Sequence, residues 1–174
     1  NNAINGANTN NAAVTNTTVK TGHTPVQKVA GNTFENASKQ CDAKIFIPTS
    51  DAKLYALDPN TGQRCQDFGK DGALDLMHNM PFKQAGYYYS TSPPIVVGNT
   101  IVVAGAVNDN YDVNSPSGVI RAYDVNTGEL LWNWDSGDPD NTAPFDVNDP
   151  TQMYKTSSPN SWAIASADEE LGLV

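Results

Sequence analysis

The sequence predicts an all-β protein built from repeated antiparallel sheets. Short runs of β-branched and aromatic residues alternate with turn residues, as in KIFIP, AKLYAL, PPIVV and TIVVAGAV. A turn sequence also recurs, because ALDPNTG at 56–62 returns 66 positions later as AYDVNTG at 122–128. Each copy lies between two strand-like runs, and repeated sheets of this kind are typical of the blades of a β-propeller.

The strands are expected to begin at Lys44. KIFIP predicts a strand that Pro48 ends, AKLYAL completes a hairpin, and QRCQDFG returns after the turn at 58–62. A loop of about 20 residues, GKDGALDLMHNMPFKQAGYYYS, then precedes the next strands. Gly98-Asn99 predicts a two-residue hairpin turn between PPIVV and TIVVAGAV.

Composition divides the chain into two parts. Residues 1–40 are rich in Asn, Thr, Ala and Gly without a sustained apolar period, which predicts a flexible insertion or linker. Residues 41–174 are the predicted partial propeller. ADEELGLV predicts an acidic turn that opens a strand at Leu173-Val174, and a chain that stopped within a strand would leave unpaired backbone. We therefore expect a piece of a longer protein, with about two blades and parts of their neighbours.

Charge and cysteine content exclude several classes of function. Nineteen acidic residues against 10 basic ones give a net charge of −9, which repels a phosphate backbone, so nucleic acid is not an expected partner. The sequence has neither an apolar run long enough to span a membrane nor the features of a signal peptide. Cys41 and Cys65 lack the spacing of a zinc site; a disulfide and two free thiols both remain open.

Four ionisable residues have a structural rather than a catalytic interpretation. Asp58 and Asp124 each stand first in a D-x-N-T-G turn, where a carboxylate caps backbone amides. His23 and His78 have no second ligand at metal-binding spacing, so both are expected to be solvated.

Two features near the second group of strands are also expected to be structural. Arg121 is left without a role, because an arginine on a strand is more often solvated or ion-paired. Tyr87-Tyr88-Tyr89 is expected to pack at a loop-to-strand junction, although it has the character of a polyol-binding surface.

Four segments between residues 44 and 174 resemble the pyrroloquinoline quinone (PQQ)-dependent dehydrogenases, in particular the membrane-bound glucose and quinate dehydrogenase branch. They are IFIPTSDAKLYALDPNTGQ, TSPPIVVGNTIVVAGAVNDN, SGVIRAYDVNTGELLWNWDSG and SPNSWAIASADEELGLV. The pattern A-x-D-x-x-T-G-x-x-x-W from Ala122 to Trp132 resembles the family's tryptophan-docking motif. Gln66 stands where the first copy would have that tryptophan, so docking there should differ.

The resemblance implies a fragment of an eight-bladed β-propeller that binds PQQ and a divalent cation, Ca2+ or Mg2+. In such enzymes the cation polarises the quinone, a carboxylate base takes the substrate proton and hydride passes to the quinone. The resemblance places that base outside this sequence, so no catalytic residue is assigned here.

Asp109 and Asn110 match the family's cation ligands, and hard cations prefer such oxygen ligands. The alternative is that this Asp-Asn pair simply forms a turn. Trp162 in SPNSW matches the tryptophan that stacks on the quinone; its alternative role is in the core or in blade docking.

Thr91 matches the residue that offers a hydroxyl to a cofactor carboxylate, with Ser92 as the less favoured candidate. Its alternative is a polar strand start before Pro93. Ala106 departs from relatives that carry a polar residue near the quinone, which implies one hydrogen bond fewer.

The resemblance further implies oxidation of glucose, a related polyol or quinate, with ubiquinone as the electron acceptor. It implies a periplasmic protein whose full-length form is anchored in the inner membrane, whereas the 174 residues alone should be inactive. The D-x-x-T-G repeats by themselves would equally suit a non-catalytic propeller that serves as a scaffold for protein binding.

Overall fold

The computed structural model describes residues 40–108, 110–111 and 113–174. In these residues there are strands and turns but no α-helix, which confirms the all-β prediction. No helix there has the length and apolarity of a membrane span. The strands of the described part are β1 Ile45–Pro48, β2 Lys53–Leu57, β3 Ala73–Asp75, β4 Tyr88–Tyr89, β5 Ile95–Val97, β6 Thr100–Val103, β7 Ala106–Val107, β8 Ile120–Asp124 and β9 Leu130–Trp134.

The first sheet has the order β1-β2-β3. The predicted hairpin of β1 and β2 is confirmed, with Phe46 opposite Ala56. The prediction that QRCQDFG returns as a strand is wrong, because this stretch forms only isolated bridges, between Leu57 and Arg64 and between Gly69 and Ala73. The third strand, β3, lies instead within the predicted long loop. Its residue Leu74 packs into the core, and this packing favours the pairing of β3 with β2, in which Leu74 lies opposite Leu54.

The second sheet is a four-stranded antiparallel meander with the order β5-β6-β8-β9. Gly98 and Asn99 form the predicted hairpin turn, since Val97 is paired with Thr100 on either side of them. The inward residues of β6 and β8, including Ile101, Val103 and Tyr123, are fully buried or nearly so. Val102 and Ala122, on the opposite face of these strands, are buried as well. A meander of four short strands is the architecture of a propeller blade.

The D-x-N-T-G turns are capped by their aspartates, as predicted. The Oδ1 atom of Asp58 accepts hydrogen bonds from the amides two and three positions later, at 2.7 and 3.3 Å. The Oδ1 atom of Asp124 does the same at 2.8 and 2.8 Å. Asp168 repeats the arrangement at 3.0 and 3.0 Å, and Gly172 has φ +65°. This third turn is the acidic turn predicted in ADEELGLV, but the predicted strand at Leu173-Val174 is wrong, because Leu173 forms only an isolated bridge with Asp168.

The second capped turn also joins the two larger sheets. The Gly69 amide donates to the Thr127 carbonyl at 2.8 Å, and a Cβ added at Gly128 would lie 2.9 Å from the Gly69 nitrogen. A glycine at this turn is therefore needed for close approach as well as for its φ of +75°. Trp132, the tryptophan of the docking pattern, lines a groove together with Gly172 and Leu173.

Replacing Gly128 with alanine is expected to lower the free energy of unfolding by at least about 2 kcal/mol, through backbone strain and overpacking together. Gly62→Ala is the matched control, since Gly62 has φ +69° and nothing within 4 Å of an added Cβ. The control should lose only about 1 kcal/mol. Urea unfolding of both variants measures the difference, and equal losses would refute the close contact between the sheets.

Cys41 and Cys65 form a disulfide with a Cα–Cα distance of 5.6 Å, so the alternative of two free thiols is wrong. Both cysteines are buried in the core of the first sheet, beside Leu54 and Phe68. The bond ties the start of the described chain to the stretch between β2 and β3, which forms turns and isolated bridges but no strand.

Candidate functional site

Thr91 follows the short sheet that β4 forms with β7. Tyr88 is paired with Val107 and Tyr89 with Ala106. The Ser90 hydroxyl fixes the chain beyond β4, because its distances to the Ser92 and Ala104 carbonyls are 3.0 and 2.9 Å. Thr91 itself is exposed to solvent, and its role towards a cofactor stays a prediction.

The predicted cation ligands lie just beyond β7, where a strand end was expected. The Asn108 amide donates to the Tyr87 carbonyl at 2.8 Å, which extends the pairing of β4 and β7 by one bond. Asn110 is exposed in a turn with φ +58°, a left-handed conformation that asparagine tolerates. Asp109 lies outside the described residues. The assignment of this pair to a cation stays a prediction.

Trp162 belongs to a segment that contacts the chain just after β4. Its side chain is 57% exposed, which is unusual for an indole and leaves its ring available for stacking. The Ser92 hydroxyl donates to the Trp162 carbonyl. The Thr91 and Trp162 segments are therefore in direct contact through the Ser92 side chain.

Serines connect the Trp162 segment to the segment of the cation ligands. The Ser115 hydroxyl donates to the Asn108 carbonyl at 3.0 Å, and the Ser157 amide donates to the Ser115 carbonyl at 3.2 Å. The Ser158 hydroxyl lies 2.8 Å from the Ser117 hydroxyl and accepts from the Gly118 amide at 3.0 Å.

These serines were not among the predicted site residues. Their signal in the sequence is a pair of Ser-Pro steps, NSPSG at 114–118 and SSPNS at 157–161. Neither step lies in a run of alternating apolar and polar residues. The sequence therefore predicts loops at these positions but not the hydrogen bonds between them. The structure thus links the Thr91 and Asn110 segments, which leave opposite ends of the sheet of β4 and β7, to the Trp162 segment by hydrogen bonds.

Arg121 contradicts the expectation of a solvated or ion-paired side chain, because it is fully buried on β8. Its Nη2 atom donates to the Leu76 carbonyl at 2.9 Å and to the Tyr88 hydroxyl at 3.1 Å. Burial alone lowers the pKa of Arg121, but the tyrosines around it outweigh that effect and raise it. The guanidinium therefore stays charged in the interior.

Comparison with known proteins identifies the family. Residues 3–174 match the family described as "PQQ: Glucose/ethanol/alcohol dehydrogenase, beta-propeller domain". The chain belongs to this family. This confirms the predicted resemblance to the PQQ-dependent dehydrogenases and the predicted β-propeller class. The chain is called the PQQ propeller below.

Relatives of this PQQ propeller are quinoprotein dehydrogenases. The chain is 45% identical to quinoprotein glucose dehydrogenase A of Acinetobacter calcoaceticus over 80% of the chain and 17% of the relative. It is 45% identical to the quinoprotein glucose dehydrogenase of Escherichia coli (strain K12) over 77% and 16%. It is 40% identical to the quinate/shikimate dehydrogenase (quinone) of Acinetobacter baylyi over 88% and 18%. The chain thus spans less than a fifth of each relative, and these names favour an enzyme over a non-catalytic scaffold.

His78 contradicts the expectation of a solvated side chain, whereas His23 lies outside the described residues. In the PQQ propeller His78 is half-buried, with Nδ1 2.7 Å from the Asn79 Oδ1 atom and Nε2 3.3 Å from the Tyr123 hydroxyl. Burial, and then the charge of Arg121, lower the pKa of His78 to about 4. The imidazole is therefore neutral in the folded protein at neutral pH.

The buried neutral imidazole predicts a loss of stability in mild acid. An ordinary histidine pKa is 6.5 and that of folded His78 is about 4, so between these values the unfolded chain binds more protons. The free energy of unfolding should fall by about 2 to 3 kcal/mol as the pH drops from 7.5 to 4.5.

Denaturant unfolding at the two pH values, for the wild type and for His78→Gln, measures this effect. The variant should lose that part of the pH dependence, while the carboxylates contribute equally in both proteins. Parallel curves for the two proteins would contradict a neutral buried imidazole.

Proposed function

We propose that this chain contributes part of the cofactor site of a PQQ-dependent dehydrogenase that also binds Ca2+ or Mg2+. The observation that carries the proposal is the set of hydrogen bonds that joins the segments of Thr91, Asn110 and Trp162. The Thr91 and Asn110 segments leave opposite ends of the antiparallel pair of β4 and β7, and the bonds tie both of them to the Trp162 segment.

The residues of the three linked segments fit a flat, anionic quinone and a hard cation. An exposed indole offers a wide polarisable face for stacking. The exposed hydroxyl of Thr91 can donate a hydrogen bond to a carboxylate group of the quinone. The amide oxygen of Asn110 is a suitable ligand for an ion such as Ca2+. The net charge of −9 also favours a cation over a free anion as the first species to bind.

Bound PQQ supplies the hydride acceptor and the cation polarises it. We propose that Trp162 orients the quinone plane, that Thr91 binds a cofactor carboxylate and that Asp109 and Asn110 hold the cation. The proton of the substrate hydroxyl passes to a carboxylate that this chain does not contribute, so the 174 residues alone bind without turning over substrate.

The substrate class and the setting of the enzyme are part of the same proposal. Relatives named as glucose and quinate/shikimate dehydrogenases support oxidation of glucose, a related polyol or quinate. The word quinone in one of these names supports a quinone acceptor, for which we propose ubiquinone. The disulfide supports an oxidising compartment, in agreement with a periplasmic protein, and we propose an inner-membrane anchor in the full-length protein.

Titration of the full-length apoprotein with PQQ and Ca2+ tests the proposal. We expect quinone absorbance to remain with the protein, quenching of tryptophan fluorescence, and dye-linked oxidation of a sugar, polyol or quinate. Retention of no quinone, together with no oxidation of any of these substrates, would refute it.

The Trp162→Ala variant is expected to raise the dissociation constant for PQQ by about tenfold or more, through loss of stacking. Tyr55→Ala is the control for loss of an aromatic side chain, because Tyr55 lies on β2 of the first sheet, paired with Ile47 and Ala73. A control that weakens binding as much as Trp162→Ala would exclude Trp162 as the stacking residue.

A further inference from the structure

The buried charge of Arg121 is not explained by ion pairing or by the bonding of its own sheet. Among the described residues no carboxylate forms an ion pair with it. An unpaired charge in a protein interior is costly, so the groups that do contact it must compensate. Its contacts are the Leu76 carbonyl, the Tyr88 hydroxyl and two aromatic rings.

These contacts come from three separate parts of the chain. Leu76 follows β3, Tyr88 lies on β4, and the ring of Tyr154 precedes the Ser-Pro step at 157–161. The guanidinium carbon lies 5.4 Å from the centre of the Tyr88 ring and 5.8 Å from that of Tyr154, both within the range of cation–π attraction. Arg121 therefore joins the first sheet, the short sheet and the Trp162 segment.

Tyr88 is the contact that leads to the candidate site. It is 1% exposed and paired with Val107, and its ring fills the space that a Cβ at Gly105 would occupy, 2.6 Å from the Tyr88 Cζ atom. The chain reaches Thr91 three positions after Tyr88 and Asp109 two positions after Val107. The position of Tyr88 thus sets where both segments leave the short sheet.

We propose that Arg121 is a positioning residue for the cofactor site, acting through Tyr88 to hold the short sheet and so to set the spacing between the Thr91 segment and the cation-binding pair. This inference rests on the proposed function, because that function supplies the ligands, PQQ and the cation. The effect of Arg121 on the short sheet involves only residues of this chain and can be measured without a ligand.

Tyr88→Phe tests the link with little disturbance, because it removes the hydroxyl at 3.1 Å and keeps the ring. In the full-length protein we expect the dissociation constants for PQQ and for Ca2+ each to rise by about tenfold, with an unchanged KM for the substrate. Tyr123→Phe is the matched control: that tyrosine is equally buried, but its hydroxyl contacts His78 and not the short sheet. The control should leave both constants within about twofold of the wild type.

Hydrogen exchange on the apoprotein provides the readout that needs no ligand. The Asn108 amide, bonded to the Tyr87 carbonyl, should exchange faster in Tyr88→Phe and at the wild-type rate in Tyr123→Phe. Arg121→Lys, which keeps the charge, should fall between the wild type and Arg121→Met in both exchange and affinity. If Arg121→Met does not fold, the comparison of Tyr88→Phe with Tyr123→Phe still tests the positioning role.

The outcomes separate this inference from the proposed function. A wild type that binds PQQ and Ca2+, with Tyr88→Phe equal to it in both constants and in Asn108 exchange, overturns the positioning role alone. Equal effects of the two tyrosine variants also overturn it, since burial of any hydroxyl would then explain them. A wild type that binds neither ligand overturns the proposed function and, with it, the link to cofactor affinity.

Discussion

Gly118→Ala is expected to raise the dissociation constant of the full-length protein for PQQ by more than about tenfold. A Cβ at Gly118 would lie 2.1 Å from the Pro159 carbonyl oxygen and 2.5 Å from the Asn160 Cα atom. Both neighbours are backbone atoms, so no side-chain rotation relieves the clash and the chain before Trp162 must shift. Overpacking of this kind costs about 1 to 3 kcal/mol or more.

Fluorescence titration of the apoprotein with PQQ, together with urea unfolding, measures this effect. Gly98→Ala is the control, because Gly98 has φ +53° but nothing within 4 Å of an added Cβ. It should lose about 1 kcal/mol of stability with unchanged cofactor affinity. Equal affinities for the two variants would mean that the Gly118 contact does not position Trp162.

Removing the disulfide is the second large effect. The Cys41→Ala/Cys65→Ala double variant is expected to lose about 2 to 5 kcal/mol of unfolding free energy, since the bond closes a loop with a sequence separation of 24. Both sulfurs are buried, so their loss also leaves space in the core. Guanidinium unfolding with and without dithiothreitol measures the change.

The double variant also serves as the control for reduction. Dithiothreitol should destabilise the wild type to about the level of the variant and leave the variant unaffected. A wild type whose unfolding midpoint is the same in reducing and oxidising buffer would contradict a disulfide that stabilises the fold.

Much of the fold was predictable because its turns depend on local chemistry. Gly98-Asn99 closes a hairpin, and Asp58 and Asp124 bond amides only two or three positions away. Such interactions are encoded within a few residues, so they are readable without knowledge of the tertiary structure. The third turn at Asp168 uses the same chemistry with different residues between Asp and Gly.

The errors all involve contacts between distant parts of the chain. The guanidinium of Arg121 finds its partners 45 and 33 positions away, and His78 finds Tyr123 at a separation of 45. The short strand β3 likewise depends on packing rather than on a period of its own. A sequence window shows none of these partners, so neither the burial of the Arg121 guanidinium nor the half-buried, neutral state of the His78 imidazole was predictable.

The candidate site was predicted in a different way. Thr91, Asn110 and Trp162 were selected by resemblance, because an exposed Thr, Asn or Trp carries no chemical signature of its own. Their roles remain predictions. What the structure adds is the serine bonding that joins their segments, which neither periodicity nor spacing revealed.

The segment between β6 and β8 leaves the four-stranded sheet at Ala104 and rejoins it at Ile120. The cross-strand pairs of the blade, such as Val102 with Ala122, are complete without it. Residues 104–119 are nevertheless part of the packed framework, because Val107 pairs with Tyr88, Val119 is fully buried and a Cβ at Gly118 would meet the Pro159 backbone. For protein engineering, an exchange of this segment between homologues therefore has to carry over its partners on β4 and in the chain before Trp162.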